Sequence, residues 1–206
     1  GLLVLAGCSS ESADDASVNS EAVGAETLVV GLDDTFAPMG FRDENNEIVG
    51  FDVDLAKAVG ERIGAEIVFQ PIDWAMKETE LDSGNIDMIW NGYAITPERA
   101  EKVLLSEPYI VDAQSIIVLK DSAIETKADL EGKLVSTQQS SSSVDKIMED
   151  ESGIFGKLGG DLVLYPSNNN AFSDLESGRV DAIVVGEVYG RYYMKQSGKD
   201  IYRVLE

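Results

Sequence analysis

The sequence predicts an α/β fold of two lobes, each a sheet flanked by helices, and three observations support it. Apolar strand-like runs alternate with amphipathic helical segments from Thr27 onward, a pattern typical of a parallel sheet covered by helices. The alternation stops at 108–120, where an extended run has no helix, and then resumes. The segments 81–89 and 175–183 share a Leu-acid-Ser-Gly-x-β-Asp-x-Ile pattern. We therefore expect two lobes of like architecture that meet at the strand ends.

The first lobe is predicted at 27–111 and contains three strand-and-helix pairs. Gly64 directly follows the first predicted helix, where a glycine commonly ends a helix in a left-handed conformation. A polar and aromatic loop is expected at 33–39 after the first strand. The predicted strands are 28–31, 66–70 and 86–90, and the predicted helices are 52–63, 74–81 and a third that begins after Thr96.

The second lobe is predicted at 112–206 and repeats the alternation. Asp87 in the first lobe and Asp181 in the second each stand at the start of a buried strand, so we expect a structural role for both. The extended run at 109–119 is expected to cross from one lobe to the other. The predicted strands are 133–135, 162–165, 181–185 and 202–204, and the predicted helices are 142–149, 169–177 and 187–196.

The composition excludes several classes of function. The 206 residues carry 16 Lys plus Arg against 38 Asp plus Glu, a formal net charge of −22. Such a chain repels nucleic acid, so no nucleic-acid partner is expected. The chain has no histidine and one cysteine, which argues against His-based catalysis, an internal disulfide and a cysteine metal cluster. We predict no cofactor and no metal site.

Residues 1–26 differ from the rest of the chain. Residues 1–8 are apolar, too short to span a bilayer, and end in small residues before Cys8. They resemble the end of a bacterial lipoprotein signal, which is cleaved before a cysteine that becomes diacylated; an incidental cysteine is the alternative. Residues 9–26 are rich in Ser, Glu, Asp and Ala, which predicts a disordered tether. We therefore expect export and lipid anchoring at Cys8.

An anion site is one of two interpretations of the stretch 91–99. The stretch follows a short apolar strand, contains Gly92, and starts a helix with Thr96 as the N-cap and Pro97 as the first helical residue. Free backbone N–H groups at such a strand end, together with Arg99, suit a carboxylate or a phosphate. A surface arginine on a capped helix explains the same residues equally well.

Five sequence blocks occur in an order typical of one protein family. They are GFDVDLA at 50–56, LDSGNID at 81–87, ITPER at 95–99 with SEPY at 106–109, DLEGK at 129–133 and GRVDA at 178–182. Through these blocks the chain resembles the extracellular solute-binding proteins of polar amino-acid ABC importers, which have the type II periplasmic-binding-protein fold. Members of that family normally continue through a return segment that completes the first lobe. We therefore expect this fold without its C-terminal return segment.

The resemblance implies a ligand site between the lobes. Arg99 would hold the ligand α-carboxylate, helped by the backbone of the preceding bend. A serine run in the second lobe would bind the same carboxylate, although N-capping alone explains serines there. An acid and two aromatic side chains would suit a cationic or hydrogen-bonding group, and the aromatic residues fit a core as well. These residues are Gly92, Tyr93 and Ala94 in the bend, Ser140, Ser141 and Ser142 in the run, and Asp33, Phe36 and Trp74 in the side-chain pocket.

Two positions depart from the family pattern. Ala94 stands where many members have a Ser or Thr hydroxyl, so one contact to the carboxylate is missing. Gly186 stands where members usually have an aspartate for the ligand ammonium. Glu187 is a candidate substitute, but a solvated acid in the first turn of a helix explains it equally well. Otherwise the ammonium needs another partner, such as Asp33 or the asparagine loop at 168–170.

The resemblance implies the substrate-binding lipoprotein of an ABC importer. It would be a monomer that captures a polar or basic amino acid by hinge closure and delivers it to the transmembrane permease subunits, without a reaction. It would lie on the outer face of the cytoplasmic membrane or in the periplasm. One alternative is an exported, dehydratase-like enzyme that acts on a small carboxylate, with Glu187 as general acid or base. Another is a sensor or interaction module without a transport role.

Overall fold

The computed structural model describes residues 26–205 of the protein. They form two lobes in which helices pack against sheets. The strands are β1 (Thr27–Leu32), β2 (Thr35–Phe36), β3 (Gly40–Arg42), β4 (Ile48–Val49), β5 (Glu66–Pro71), β6 (Met88–Ile89), β7 (Gln114–Leu119), β8 (Val135–Gln138), β9 (Val163–Tyr165), β10 (Ala182–Gly186) and β11 (Tyr202–Val204). The α-helices are α1 (Phe51–Ile63), α2 (Lys77–Asp82), α3 (Pro97–Lys102), α4 (Ser142–Met148), α5 (Asn168–Glu176) and α6 (Glu187–Ser197). Short 3₁₀ helices occupy Trp74–Met76, Lys127–Leu130 and Ile154–Lys157.

The first lobe is built on a parallel sheet with the strand order β5-β1-β6. Val30 and Leu32 of β1 are completely buried, as expected for the central strand of a covered sheet. Helix α1 packs beside β5 and buries Val53 and Ala56. It ends at Gly64, whose φ of 72° is left-handed, so the predicted glycine cap is confirmed.

The second lobe has a mixed sheet with the strand order β11-β7-β10-β8-β9. Strand β8 runs parallel to β9 and β10, whereas β7 runs antiparallel to β10 and β11. The helix-and-strand alternation predicts the parallel part only. Because the chain enters β7 from the other lobe, no crossover helix constrains the direction of that strand. Phe172 and Tyr189, both buried, join the helices to the core of this lobe.

The repeated sequence pattern has the same structural role in both lobes. The Val29 backbone N–H donates to Asp87 Oδ2 at 2.7 Å, and the Leu134 backbone N–H donates to Asp181 Oδ2 at 2.8 Å. Each carboxylate thus ties the start of its strand to the neighbouring strand. The prediction that both acids are structural is confirmed.

Several local features differ from the sequence prediction: the strand predicted at 133–135 lies at Val135–Gln138, and two further differences lie in the first lobe. The segment predicted as a loop at 33–39 contributes β2 to a small antiparallel sheet, β2-β3-β4. Its strands have two or three residues, which is too short for an alternating pattern to show. The helix predicted at 74–81 begins with a 3₁₀ turn, capped where Asp73 Oδ1 accepts from the Ala75 N–H at 2.9 Å. Trp74, the first residue of this turn, is buried.

Within residues 26–205, no helix is long and apolar enough to cross a membrane. Cys8 and most of the predicted tether lie outside the described residues. The lobe boundary predicted between Val111 and Asp112 falls in the irregular segment between α3 and β7.

Candidate ligand-binding site

A cavity of about 1010 Å³ lies between the two lobes. Its wall includes residues that follow β1 and β6 in the first lobe and β8 and β10 in the second. The carboxyl ends of sheet strands are where α/β folds usually bind ligands, and the volume suits a small molecule. Of the predicted site residues, the wall includes Asp33, Phe36, Trp74, Gly92, Tyr93, Ala94, Arg99, Ser141 and Ser142.

Arg99 is buried at this cavity, with 5% of its surface exposed. Thr96 Oγ1 accepts from the Arg99 backbone N–H at 3.2 Å, so the predicted N-cap is confirmed. The guanidinium lies 4.3 Å from the centroid of the Tyr93 ring. It donates to the Ala94 carbonyl at 3.1 Å and, across the lobes, to the Ser140 carbonyl at 3.3 Å. Since both acceptors are neutral carbonyls, the positive charge remains available to an anionic ligand.

A buried acid, Asp52, fixes the bend that precedes Arg99. The Asp52 side chain is completely buried, and its Oδ2 accepts from the Gly92 N–H at 2.5 Å. Its Oδ1 accepts from the Tyr109 hydroxyl at 2.6 Å. Burial raises the pKa of Asp52, and these hydrogen bonds oppose that effect. Gly92 has a left-handed φ of 59°, and a Cβ there would meet the Phe36 ring at 3.0 Å, so glycine is required.

Asp33 is a buried acid that links the two lobes. Its Oδ1 accepts from the Thr35 N–H at 2.9 Å and from the Thr35 hydroxyl at 2.6 Å. Its Oδ2 accepts from Gln138 Nε2 of the second lobe at 2.7 Å, and Gln138 Oε1 accepts from Asn168 Nδ2 at 3.2 Å. Burial raises the pKa of Asp33, and the bonds from Thr35 and Gln138 lower it. The result is a carboxylate held rigidly at the cavity wall.

Aromatic pairs form two parts of the wall. Phe36 stacks on Tyr189 of the other lobe, with ring centroids 5.2 Å apart and planes 5° from parallel. Trp74 meets Tyr93 edge to face at 6.0 Å and is 7% exposed. Phe36 and Trp74 therefore pack like core residues and also line the cavity. Such surfaces suit the apolar part or the cationic end of a small ligand.

The serine run presents backbone and hydroxyl groups in different directions. Ser140 has a left-handed φ of 53°, and its carbonyl accepts from Arg99 of the first lobe. The Ser141 hydroxyl donates to the Gln138 carbonyl at 2.7 Å, and the helix that follows has no side-chain cap bond. Ser141 and Ser142 line the cavity, whereas Ser140 contributes its carbonyl to the contact between the lobes.

Lys77 is a contact residue that the sequence did not reveal. It is 2% exposed, and its Nζ donates to the Trp74 carbonyl at 3.1 Å and, across the lobes, to the Ser140 carbonyl at 2.9 Å. Glu78 Oε2 lies 3.2 Å away. Burial lowers the pKa of the Lys77 ammonium, while the charge of Glu78 raises it. Two cationic side chains of the first lobe, Lys77 and Arg99, thus converge on one carbonyl of the second.

Glu187 is not brought to the cavity. Its carboxylate pairs with Arg191 one turn further along α6, and it is absent from the wall among the described residues. The sequence also missed Asp52, Gln138 and Tyr189 as contributors, whereas Asn168 lies in the asparagine loop that it offered as a partner for the ligand ammonium. Asp52 lies in the GFDVDLA block and Gln138 precedes the serine run, which were the available signals. Tyr189 looks like an ordinary helix residue, so only the packing of the lobes reveals it.

The described residues contain no group of three or more His, Cys, Asp or Glu side chains that could hold a metal ion.

A cavity enclosed by two α/β lobes, with contacts that bridge them, defines a two-lobed solute-binding protein of the type II periplasmic-binding-protein fold. The chain belongs to the bacterial extracellular solute-binding proteins, family 3, whose sequence model matches residues 28–174. The resemblance inferred from the sequence blocks is confirmed.

Named relatives agree with this assignment. The chain is 29% identical over 184 residues to the L-cystine-binding protein TcyJ of Escherichia coli strain K12, covering 88% of this chain and 67% of the relative. It is 32% identical over 178 residues to the arginine-binding extracellular protein ArtP of Bacillus subtilis, covering 84% and 66%. It thus spans about two thirds of the length of these relatives. An ABC uptake transporter substrate-binding protein from Streptococcus pneumoniae, solved with bound histidine, superposes with a TM-score of 0.84 at 38% identity, covering 87% of this chain and 74% of that one.

Proposed function

We propose that this protein is the substrate-binding component of an ABC importer and that its two lobes close over an amino acid. The observation that carries the proposal is the buried Arg99 at the cavity wall, whose guanidinium donates hydrogen bonds only to carbonyl oxygens within residues 26–205. A planar guanidinium in this setting suits an α-carboxylate bound by two parallel hydrogen bonds. Because Arg99 also reaches Ser140, a ligand bound there stabilises the closed arrangement of the lobes.

The rest of the cavity favours a polar or basic amino acid. Asp33 supplies a fixed negative charge, and the pairs of Phe36 with Tyr189 and Trp74 with Tyr93 supply flat apolar surfaces. A guanidinium, an imidazole or a polar disulfide side chain suits such walls. The arginine, histidine and cystine bound by the named relatives have these chemical groups.

The proposal includes where the protein acts. A lipid on Cys8 and the tether at 9–26 would hold it at the outer face of the cytoplasmic membrane or in the periplasm, where it would dock as a monomer on the permease. A catalytic role is less well supported. Glu187, the acid that the enzyme alternative would use, is paired with Arg191 and lies away from the cavity wall.

The proposal is tested by a thermal-shift screen of the twenty protein amino acids and L-cystine. A ligand at about 100 times its Kd stabilises the protein by about 2.7 kcal/mol. For a chain of this size, that corresponds to a rise in Tm of roughly 5–10 °C. We expect the largest rises from arginine, histidine or cystine. The amino-acid function is wrong if none of the compounds raises Tm.

We expect Lys77→Met to weaken binding of the best amino acid in that screen about tenfold. Its ammonium bridges the lobes through Ser140, and a hydrogen bond from a charged group contributes about 1.5–3 kcal/mol. Because the change also leaves Glu78 and the Trp74 carbonyl without their partner, Tm without ligand should fall as well. Isothermal titration calorimetry measures the affinity. Small-angle X-ray scattering should show a larger radius of gyration for Lys77→Met than for the unaltered protein.

Lys57→Met is the matched control, because it removes the same charge from an exposed position on α1. It should leave affinity and radius of gyration unchanged. Equal affinities of Lys77→Met and the unaltered protein would show that this contact does not contribute to closure.

A further inference from the structure

Asp112 places a carboxylate at the cavity and at the start of α6. Its Oδ1 accepts from the backbone N–H of the next residue, Ala113, at 3.0 Å and from the backbone N–H of Val188 at 3.0 Å. Val188 lies in the first turn of α6, where the helix dipole favours a negative charge. These two bonds fix the orientation of the carboxylate although the residue as a whole is exposed.

The second oxygen of Asp112 lies over Gly186. A Cβ built on Gly186 would stand 2.4 Å from Asp112 Oδ2, far inside contact distance. The backbone of Gly186, with φ −55° and ψ 134°, is open to any residue. The backbone conformation therefore does not require a glycine here, and a side chain at this position would displace the Asp112 carboxylate from its present place. Both residues line the cavity.

The other three acids of the cavity wall either already hold protein hydrogen bonds or are not fixed by one. Both oxygens of Asp33 already accept hydrogen bonds from Thr35 and Gln138. Asp87 accepts from the Val29 N–H and ties two strands together. Glu107 is exposed, and no side-chain hydrogen bond holds its carboxylate among the described residues. Asp112 alone among these four combines a fixed carboxylate with an oxygen that has no donor within residues 26–205.

We propose that Asp112 Oδ2, which occupies the space that a side chain at residue 186 would otherwise fill, binds the α-ammonium group of the ligand. The proposal rests on the amino-acid function proposed above. An ammonium has three N–H donors and binds best to a carboxylate that is already oriented. The site would then select α-amino acids over analogues that lack the amino group.

The test measures binding of L-arginine, L-histidine and L-cystine, and of the des-amino analogues of L-arginine and L-histidine, to the unaltered protein and to Asp112→Asn. Asparagine keeps an oxygen for the Val188 N–H and loses the charge. We expect at least a tenfold loss of affinity for the amino acids and less than about a twofold change for the des-amino analogues. Asp161→Asn removes one charge from an exposed position and should change neither.

A second variant exchanges the two positions. Asp112→Ala combined with Gly186→Asp moves the carboxylate into the vacated space, and we expect it to bind amino acids more tightly than Asp112→Ala alone. Equal affinity of Asp112→Asn and the unaltered protein for the amino acids would overturn the role of Asp112 and leave the proposed function intact. Failure of the unaltered protein to bind any of the twenty amino acids or L-cystine would overturn both proposals.

Discussion

Arg99→Ala should weaken amino-acid binding by about a hundredfold or more. The guanidinium is buried at the cavity, where each hydrogen bond from a charged group contributes about 1.5–3 kcal/mol, and two such bonds to one carboxylate exceed a factor of 100 in Kd. The change also removes the bond to the Ser140 carbonyl, which favours closure. Isothermal titration calorimetry with L-arginine, L-histidine and L-cystine measures the loss.

Two further variants show whether a loss of affinity comes from the planar shape of the Arg99 side chain, from its charge, or from the loss of any arginine. Arg99→Lys keeps the charge but not the planar donor pair, so an intermediate loss is expected. Arg62→Ala removes an exposed arginine from the last turn of α1 and should leave the affinity unchanged. Retained affinity in Arg99→Ala would show that the carboxylate is bound elsewhere.

Asp52→Ala is expected to lower both stability and affinity. It leaves the half-buried Gly92 N–H and the Tyr109 hydroxyl without their acceptor, at a cost on the order of 2 kcal/mol. For a chain of this size the expected fall in Tm is roughly 4–8 °C. Because the same carboxylate positions the bend before Arg99, affinity should fall about tenfold as well. Differential scanning calorimetry and titration calorimetry measure the two effects.

Asp54→Ala is a close control, since Asp54 lies in the same first turn of α1 but is exposed. It should change Tm by less than about 2 °C. Tyr109→Phe removes one donor to Asp52 and leaves the Gly92 bond, so a smaller loss than that of Asp52→Ala is expected. An unchanged Tm and affinity in Asp52→Ala would mean that the bend holds its conformation without this carboxylate.

In the closed arrangement, side chains of the first lobe form hydrogen bonds with backbone and amide groups of the second. Arg99 and Lys77 donate to the Ser140 carbonyl, and Asp33 accepts from Gln138. Contacts of this kind exist only when the lobes approach each other. A ligand that binds both lobes therefore shifts the population toward closure by its preference for that state.

Much of the fold follows from local sequence pattern. The helix predicted at 52–63 is α1 at 51–63, and the one at 187–196 is α6 at 187–197. Both have a glycine directly after the last turn and an apolar face at helical spacing, which are local properties. The strand predicted at 86–90 is shorter, with only Met88–Ile89 paired, because the length of a strand depends on its partner.

The sequence by itself determined the order of the strands and helices outside the small sheet β2-β3-β4, the cap at Thr96, the structural role of Asp87 and Asp181, and the family. Only the tertiary structure decided that Arg99 is buried rather than exposed and that Lys77 reaches Ser140, 63 residues away. It also decided that the Asp112 carboxylate fills the space above Gly186. Capping and periodicity act between near neighbours, whereas burial and these contacts arise only when distant segments pack. For that reason the burial of Arg99 and the contacts of Lys77 and Asp112 leave no local pattern in the sequence.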